Sequence, residues 1–392
     1  MRSLFLAACA VVAVASCTSA PTTSAANDNA GCPPVAAPSV TSRSPGVLTP
    51  VTFGAMPIPD SAPVHIAREE GYFAAEGLNV GTPVTIQGGG PAINQLKSGA
   101  LDVTLVNYVA AFIAAQADPD AVCIIADAYQ AAPGAFMLMT AKDSGIKTVA
   151  DLKRSADGSV RIIAVATLRS ISTLTTEMAL AKEGISVKDV LFREMPLPQM
   201  TNALATGQVH AAWMTEPFAS QWRRQGGVPL TDLMTGTAAD WPIAGWAVSG
   251  DYARKHPDVV AAVQRALARG QQDATDRERL TKALGTYTQI PPEDAKKIAL
   301  GVFPRSLDVS QLHSVATVMQ QYGYLTKPVD VRQLVVPMAY WTSVGSPTAV
   351  PSPSVSPSAS SPAVMPSPSV SASAVTSSPA GPSPSATPEA SP

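Results

Sequence analysis

The chain has 392 residues, a formal net charge of −2 and 14% charged residues. That length holds two ordinary domains with substantial cores. The near-neutral balance removes any electrostatic case for nucleic acid as a partner. At the start of the chain, Arg2 precedes an apolar stretch from Leu4 to Ala15. This is too short to span a membrane but suits the hydrophobic region of a signal peptide.

The stretch ends in Val14-Ala15-Ser16-Cys17, which resembles a bacterial lipobox. Small residues fit a narrow signal-peptidase pocket, and the cysteine thiol receives the diacylglycerol. Residues 1–17 are therefore read as a lipoprotein signal peptide with Cys17 lipidated. No later segment reaches the length of a transmembrane helix, so the expectation is a protein held by lipid on the extracytoplasmic face of the cell membrane. Residues 18–48 are rich in Ser, Thr, Ala and Pro without hydrophobic periodicity, and read as a flexible tether. Cys32 falls in this tether and Cys123 in the apolar run "AVCIIADAY". Export permits a bridge between them; the reading here is two unpaired cysteines, Cys123 being a small core residue.

From residue 49, strand-like and helix-like segments alternate: "VTFGAM" and the helix around Ala67, "NVGTPVTIQ" and a helix from Pro91 to Ser98, "LDVTLVN" and "YVAAFIAAQA". A second series begins near "TVADLK", with "RIIAVAT" running into "SISTLTTEMALAKEG" and "HAAWMTE" into "PFASQWRRQ". Such alternation predicts parallel sheets covered by helices. The expected layout is an α/β lobe over 49–140, a second over 141–244, and a mainly helical return to the first over 245–343. The tail, 344–392, is a Pro/Ser/Ala/Val tract whose single charge is Glu389, and is expected to stay disordered.

The segment "APVHIAREEGYFAAEGLNV", 62–80, puts a helix, a glycine stop, an aromatic pair and a second stop before a strand. It resembles the first helix and turn of the nitrate/sulfonate/taurine and thiamine-precursor binding proteins of ABC importers. Further landmarks follow in the family's order: Gly88-Gly89-Gly90, "QLKSGALDVTLVN" at 95–107, "TVADLKRS" at 148–155, "ATGQVHAAWMTEP" at 205–217 and "SGDYARKHPDVVAAV" at 249–263. The resemblance covers about 49–343. It implies the type 2 periplasmic-binding-protein fold, two α/β lobes around a ligand cleft, no intrinsic catalysis, and an ABC permease and ATPase as partners of a monomeric receptor. Relatives that build the thiamine pyrimidine carry a cysteine-rich motif and a histidine near the end of the first strand. This chain has neither, and Ser61 and Ala62 stand about where that histidine would fall.

In open α/β sheets, ligands gather beyond the carboxyl ends of strands, at helix N-termini. Four such places are legible. The first is Asp60-Ser61, which would also serve as a helix N-cap. The second is Gln87-Gly88-Gly89-Gly90, where glycines let backbone approach a ligand; no phosphate-loop lysine follows. The third is Asn107-Tyr108, an amide and a ring after a strand. The fourth, Thr167 to Thr173, places Thr167, Arg169 and Ser170 at a helix start, an anion-site chemistry. Alternation along "HAAWMTEP" puts Met214 and Glu216 on one face, and Trp213 and Thr215 on the other. Glu216 is expected to approach the cleft. Trp213, Trp241 and Trp246 are stacking candidates for a planar ligand, though core packing competes for every tryptophan.

The four histidines show no metal-ligand spacing, and no G-x-S-x-G elbow occurs. The expectation is a solute receptor without cofactor, metal or catalytic residues, not an enzyme. Arg169 and the helix starts lean toward a nitrate-, sulfonate- or taurine-like anion. The alternatives are a planar nitrogen heterocycle such as a thiamine pyrimidine precursor, favoured by Glu216 and the tryptophans, or a biosynthetic enzyme on the same fold.

Overall fold

The computed structural model describes residues 32–33 and 47–337. The signal peptide, Cys17, all but four residues of the tether, and the tail lie outside the described residues. Within them are two five-stranded sheets. The first runs in the order Val84–Thr85, Phe53–Ala55, Val103–Asn107, Pro242–Val248, Cys123–Gln130. The second runs Gly227–Asp232, Phe136–Ala141, Ala211–Thr215, Arg161–Val165, Val190–Glu194.

The sheets are mixed, where alternation alone predicted parallel ones. In each, one strand runs against both of its neighbours: Pro242–Val248 in the first, Phe136–Ala141 in the second. These are the strands by which the chain enters each sheet after leaving the other. A crossover helix returns the chain to the end from which the previous strand began, so strands joined that way are parallel. A strand entered directly from the other lobe starts at the cleft end and runs the opposite way. The first crossing therefore lies between Gln130 and Phe136, and the strand 136–141, expected in the first lobe, belongs to the second sheet.

The segment 62–80 folds by local rules. Helix Ala62–Glu69 stops at Gly71, whose φ of 72° is left-handed backbone; Gly77, at 75°, closes the next turn before strand Leu78–Val80. Phe73 is buried with its ring 5.1 Å from Phe53. The helical return lays Pro257–Asp273 across this helix. A Cβ on Gly270 would stand 2.2 Å from the Pro63 carbonyl oxygen, so the two helices touch backbone to backbone. His65 is a packing residue, its ring stacked 3.8 Å from that of Tyr287; burial pushes its pKa down to about 4.

The reading of two unpaired cysteines is corrected. Cys32 and Cys123 form a disulfide with Cα atoms 5.5 Å apart, across 91 residues of sequence. The Cys32 N–H donates to the Gln333 carbonyl at 2.8 Å, and the Val336 N–H to the Ile124 carbonyl at 2.8 Å. Both ends of the described chain thus meet at the strand that carries Cys123, a proximity with no signal in local sequence.

Candidate functional site

The carboxyl ends of the two sheets face each other across a cavity of about 50 Å³, room for a few waters or a solute of a few heavy atoms. Met56, Ile58 and Asp60 reach it from the turn after strand Phe53–Ala55, Leu105 and Asn107 from the next strand, and Ile243 and Ala244 from the strand re-entering the first sheet. The second lobe contributes Phe136, Trp213 and Thr215 from adjacent strands, and Ala166, Thr167, Ser170 and Leu197 from the turns and helix starts that follow strands. The walls are largely apolar, and the polar groups cluster at the helix starts.

Most of those polar groups are already engaged. Asn107 is the N-cap of helix Tyr108–Ala117: its Oδ1 accepts from the Ala110 N–H at 3.0 Å and, from the other lobe, the Ile171 N–H at 3.4 Å. Ser170 caps helix Ile171–Lys182, and its hydroxyl donates to the Thr167 carbonyl at 2.6 Å. The Thr215 hydroxyl donates to the Ala135 carbonyl, and Trp213 Nε1 to the Thr175 hydroxyl. Asp60 differs. It is 2% exposed, and its Oδ1 has no hydrogen-bond partner among the described residues. Burial raises its pKa to about 7.

Glycine at 88 and 89 is a matter of space. A Cβ on Gly88 would lie 2.3 Å from Thr167 Oγ1 across the cleft, and one on Gly89 would lie 2.8 Å from Asn107 Nδ2. The first pair lets the lobes close to contact.

Of the residues singled out from sequence, Asp60, Gly88, Gly89, Asn107, Thr167, Ser170 and Trp213 line this one cavity. The others do not, each for a visible reason. Ser61 spends its hydroxyl accepting the Met56 N–H at 3.1 Å, and neither it nor Asp60 makes the expected cap hydrogen bond. Gln87 is exposed, and Gly90 lies on a separate groove with Arg169. The Tyr108 hydroxyl is turned into the first lobe, donating to Asp127 at 2.8 Å. Trp246 is fully buried, edge-on to Phe53.

Arg169 and Glu216 are the larger corrections. Arg169 carries a left-handed φ of 51°, and its guanidinium donates to the Tyr324 carbonyl at 2.7 Å and lies 5.1 Å from the centre of that ring. Glu216, 1% exposed, is consumed by the helix that follows it. Its carboxylate accepts from the Ser220 N–H and hydroxyl and pairs with Arg223 at 3.1 Å. Met214 shares its buried face; the opposite face of strand Ala211–Thr215, with Trp213 and Thr215, looks into the cavity. Period-two alternation separated the faces correctly and had no means of saying which one the cleft takes. Phe136 and Ile243, also missed, come to the cavity through the two lobe crossings, and Leu197 from the helix start after strand Val190–Glu194.

Two α/β lobes with a cavity between the carboxyl ends of their sheets define the periplasmic-binding-protein fold. The chain belongs to the NMT1-like family, whose model matches residues 45–285. It is 26% identical over 301 residues to the nitrate/nitrite binding protein NrtA of Nostoc sp. (strain PCC 7120 / SAG 25.82 / UTEX 2576). That match covers 70% of this chain and 66% of the relative, a little under two thirds of its length. Among solved structures, the ligand-binding component of an ABC-type import system from Staphylococcus aureus, with zinc bound, superposes with a TM-score of 0.65 at 15% identity, covering 76% of this chain and 99% of the other. The alkanesulfonate-binding protein SsuA of Xanthomonas axonopodis pv. citri, bound to MOPS, gives 0.60 at 19% identity, covering 74% and 98%. At these identities the structural likeness carries the fold alone.

Proposed function

We propose that the chain is an extracytoplasmic solute receptor that encloses a small solute between its lobes and presents it to an ABC importer. The observation that carries this reading is a cavity lined by residues of both lobes, Asp60 and Asn107 on one side and Thr167 and Thr215 on the other. A solute there completes contacts with both sheets only when they are together, so binding favours the closed form. The importer then reads closure. Names of relatives and neighbours that bind nitrate, alkanesulfonate or the ligand of an import system support the same class. Lipidation at Cys17 would hold the receptor at the membrane while the tether lets it reach a permease.

The expectation of an anion leaned on Arg169, which lies outside the cavity, so solute chemistry has to come from the residues that line it. The experiment for the receptor reading is calorimetry with a panel of small solutes, with a parallel search for their conversion. The expected result is stoichiometric binding without turnover. Turnover of a bound solute would replace the reading with the enzyme alternative.

A further inference from the structure

The cavity presents a buried acceptor with nothing to bind. Asp60 is almost wholly buried at the end of the first strand's turn, it lines the space between the lobes, and its Oδ1 has no partner among the described residues. A buried acceptor left unsatisfied costs free energy, and such groups are rare in folded proteins unless something else supplies the donor. Thr215, Ser170 and Trp213 commit their donors elsewhere, to Ala135, Thr167 and Thr175, and neither the Asn107 amide nor the Thr167 hydroxyl, also on the wall, reaches Asp60 Oδ1. No lysine, arginine or histidine lines the cavity. An oxyanion would therefore face a carboxyl group with no side-chain cation to offset it.

We propose that Asp60 selects the solute: the cavity takes a small solute that presents an N–H donor to the Asp60 carboxylate and an apolar or planar body to Trp213, Phe136 and Leu105, in place of an oxyanion. This rests on the reading of the cavity as the solute site. Burial holds the empty carboxyl near the point of half-ionisation at neutral pH, and a donor, above all a charged one, draws it to the ionised form. The titratable groups packed around it leave that signal clear. The phenols of Tyr129 and Tyr287 are pushed well above their usual range by burial. His65, stacked on Tyr287, is held neutral down to about pH 4. Glu216 is paired with Arg223, and Arg277 donates to the Ala295 and Ile298 carbonyls.

The test uses the full mature chain and calorimetry with methylguanidine and imidazole against nitrate and methanesulfonate, in the wild type, Asp60→Asn and Gly88→Ala. The expected result is binding of an N–H probe that Asp60→Asn weakens about ten- to a hundredfold, the range for a charge-assisted hydrogen bond. Affinity for methylguanidine, cationic throughout, should rise between pH 6 and 8 in the wild type and stay flat in Asp60→Asn. Binding of nitrate or methanesulfonate undiminished in Asp60→Asn overturns the proposal, as does N–H probe binding indifferent to Asp60 or a panel that binds nowhere. Gly88→Ala separates the two failures, because its Cβ would press on Thr167 and hold the lobes apart. Binding lost there but kept in Asp60→Asn removes only the role of Asp60; binding that survives Gly88→Ala lies elsewhere and removes the cavity reading itself.

Discussion

Asp60 is a burden on the empty protein, and linkage gives that burden a sign. Its ordinary pKa of 3.8 is raised to about 7 by burial. Any stability from keeping it protonated is complete below about 4 and lost as pH rises through 7. Asp127, buried beside Tyr108, behaves the same way, its pKa also raised to about 7. His65 works in the opposite direction: lowered to about 4, it costs stability as pH falls below the usual histidine range. Because these slopes oppose, the difference between Asp60→Asn and wild type is the clean measurement. Solute-free Asp60→Asn should match the wild type near pH 4 and exceed it by about 2–4 kcal/mol at pH 8. Denaturant titration at the two pH values checks this; an equal difference at both would show that Asp60 ionises freely. Glu216→Ala should act on the fold, where the sequence had suggested the solute. It strips the Ser220 N–H and Arg223 of their acceptor, and since Arg223 is partly exposed the loss is about 2 kcal/mol. Solute affinity per folded molecule should not change.

At the scale of elements, one contact bridges the lobes beside the cavity. Tyr324 follows helix Val309–Gln321 and is moored to the first lobe through Thr326 and Lys327, which bond to Gln116. From the second lobe, Arg169 donates to its carbonyl and covers its ring, while its hydroxyl donates to Glu177 at 2.9 Å. Opening the cleft breaks all three. Arg169→Ala removes one hydrogen bond and an exposed cation–π contact, together about 1 kcal/mol of the closed state. That is roughly a fivefold shift toward open molecules. Small-angle scattering of the solute-free variant should show a larger radius of gyration, and solute affinity should fall by a similar factor without any loss of solute contact. An unchanged radius would mean that Tyr324 is a passive neighbour.

At the scale of the whole molecule, the two ends of the described residues are fastened to one strand. The disulfide closes a loop across 91 residues, and in the chain-entropy account a loop of that size contributes about 4–5 kcal/mol. Cys32→Ser, or reductant, should therefore lower the melting temperature by several degrees while leaving solute affinity alone, since neither cysteine lines the cavity. Membrane attachment is a separate matter. Cys17→Ala should move the protein to the soluble fraction or leave its signal uncleaved; normal processing with full membrane retention would remove the lipid anchor from the proposal.

What the sequence by itself determined was everything governed by neighbours in the chain. The helix stop at Gly71, the caps Asn107 and Ser170, and the alternation of strand and helix follow from backbone geometry within a few residues. The rule that ligands gather beyond strand ends added Asp60, Gly88, Gly89 and Thr167. Only tertiary structure decided which face of strand Ala211–Thr215 looks into the cleft, which way Arg169 turns, and that Cys32 returns to Cys123. Those choices depend on partners a hundred residues or more away in sequence, or nearly so, and local chemistry is degenerate with respect to them. Glu216 is different: a glutamate at a strand end can meet a solute or cap the next helix, and its partners Ser220 and Arg223 are local, four and seven residues on.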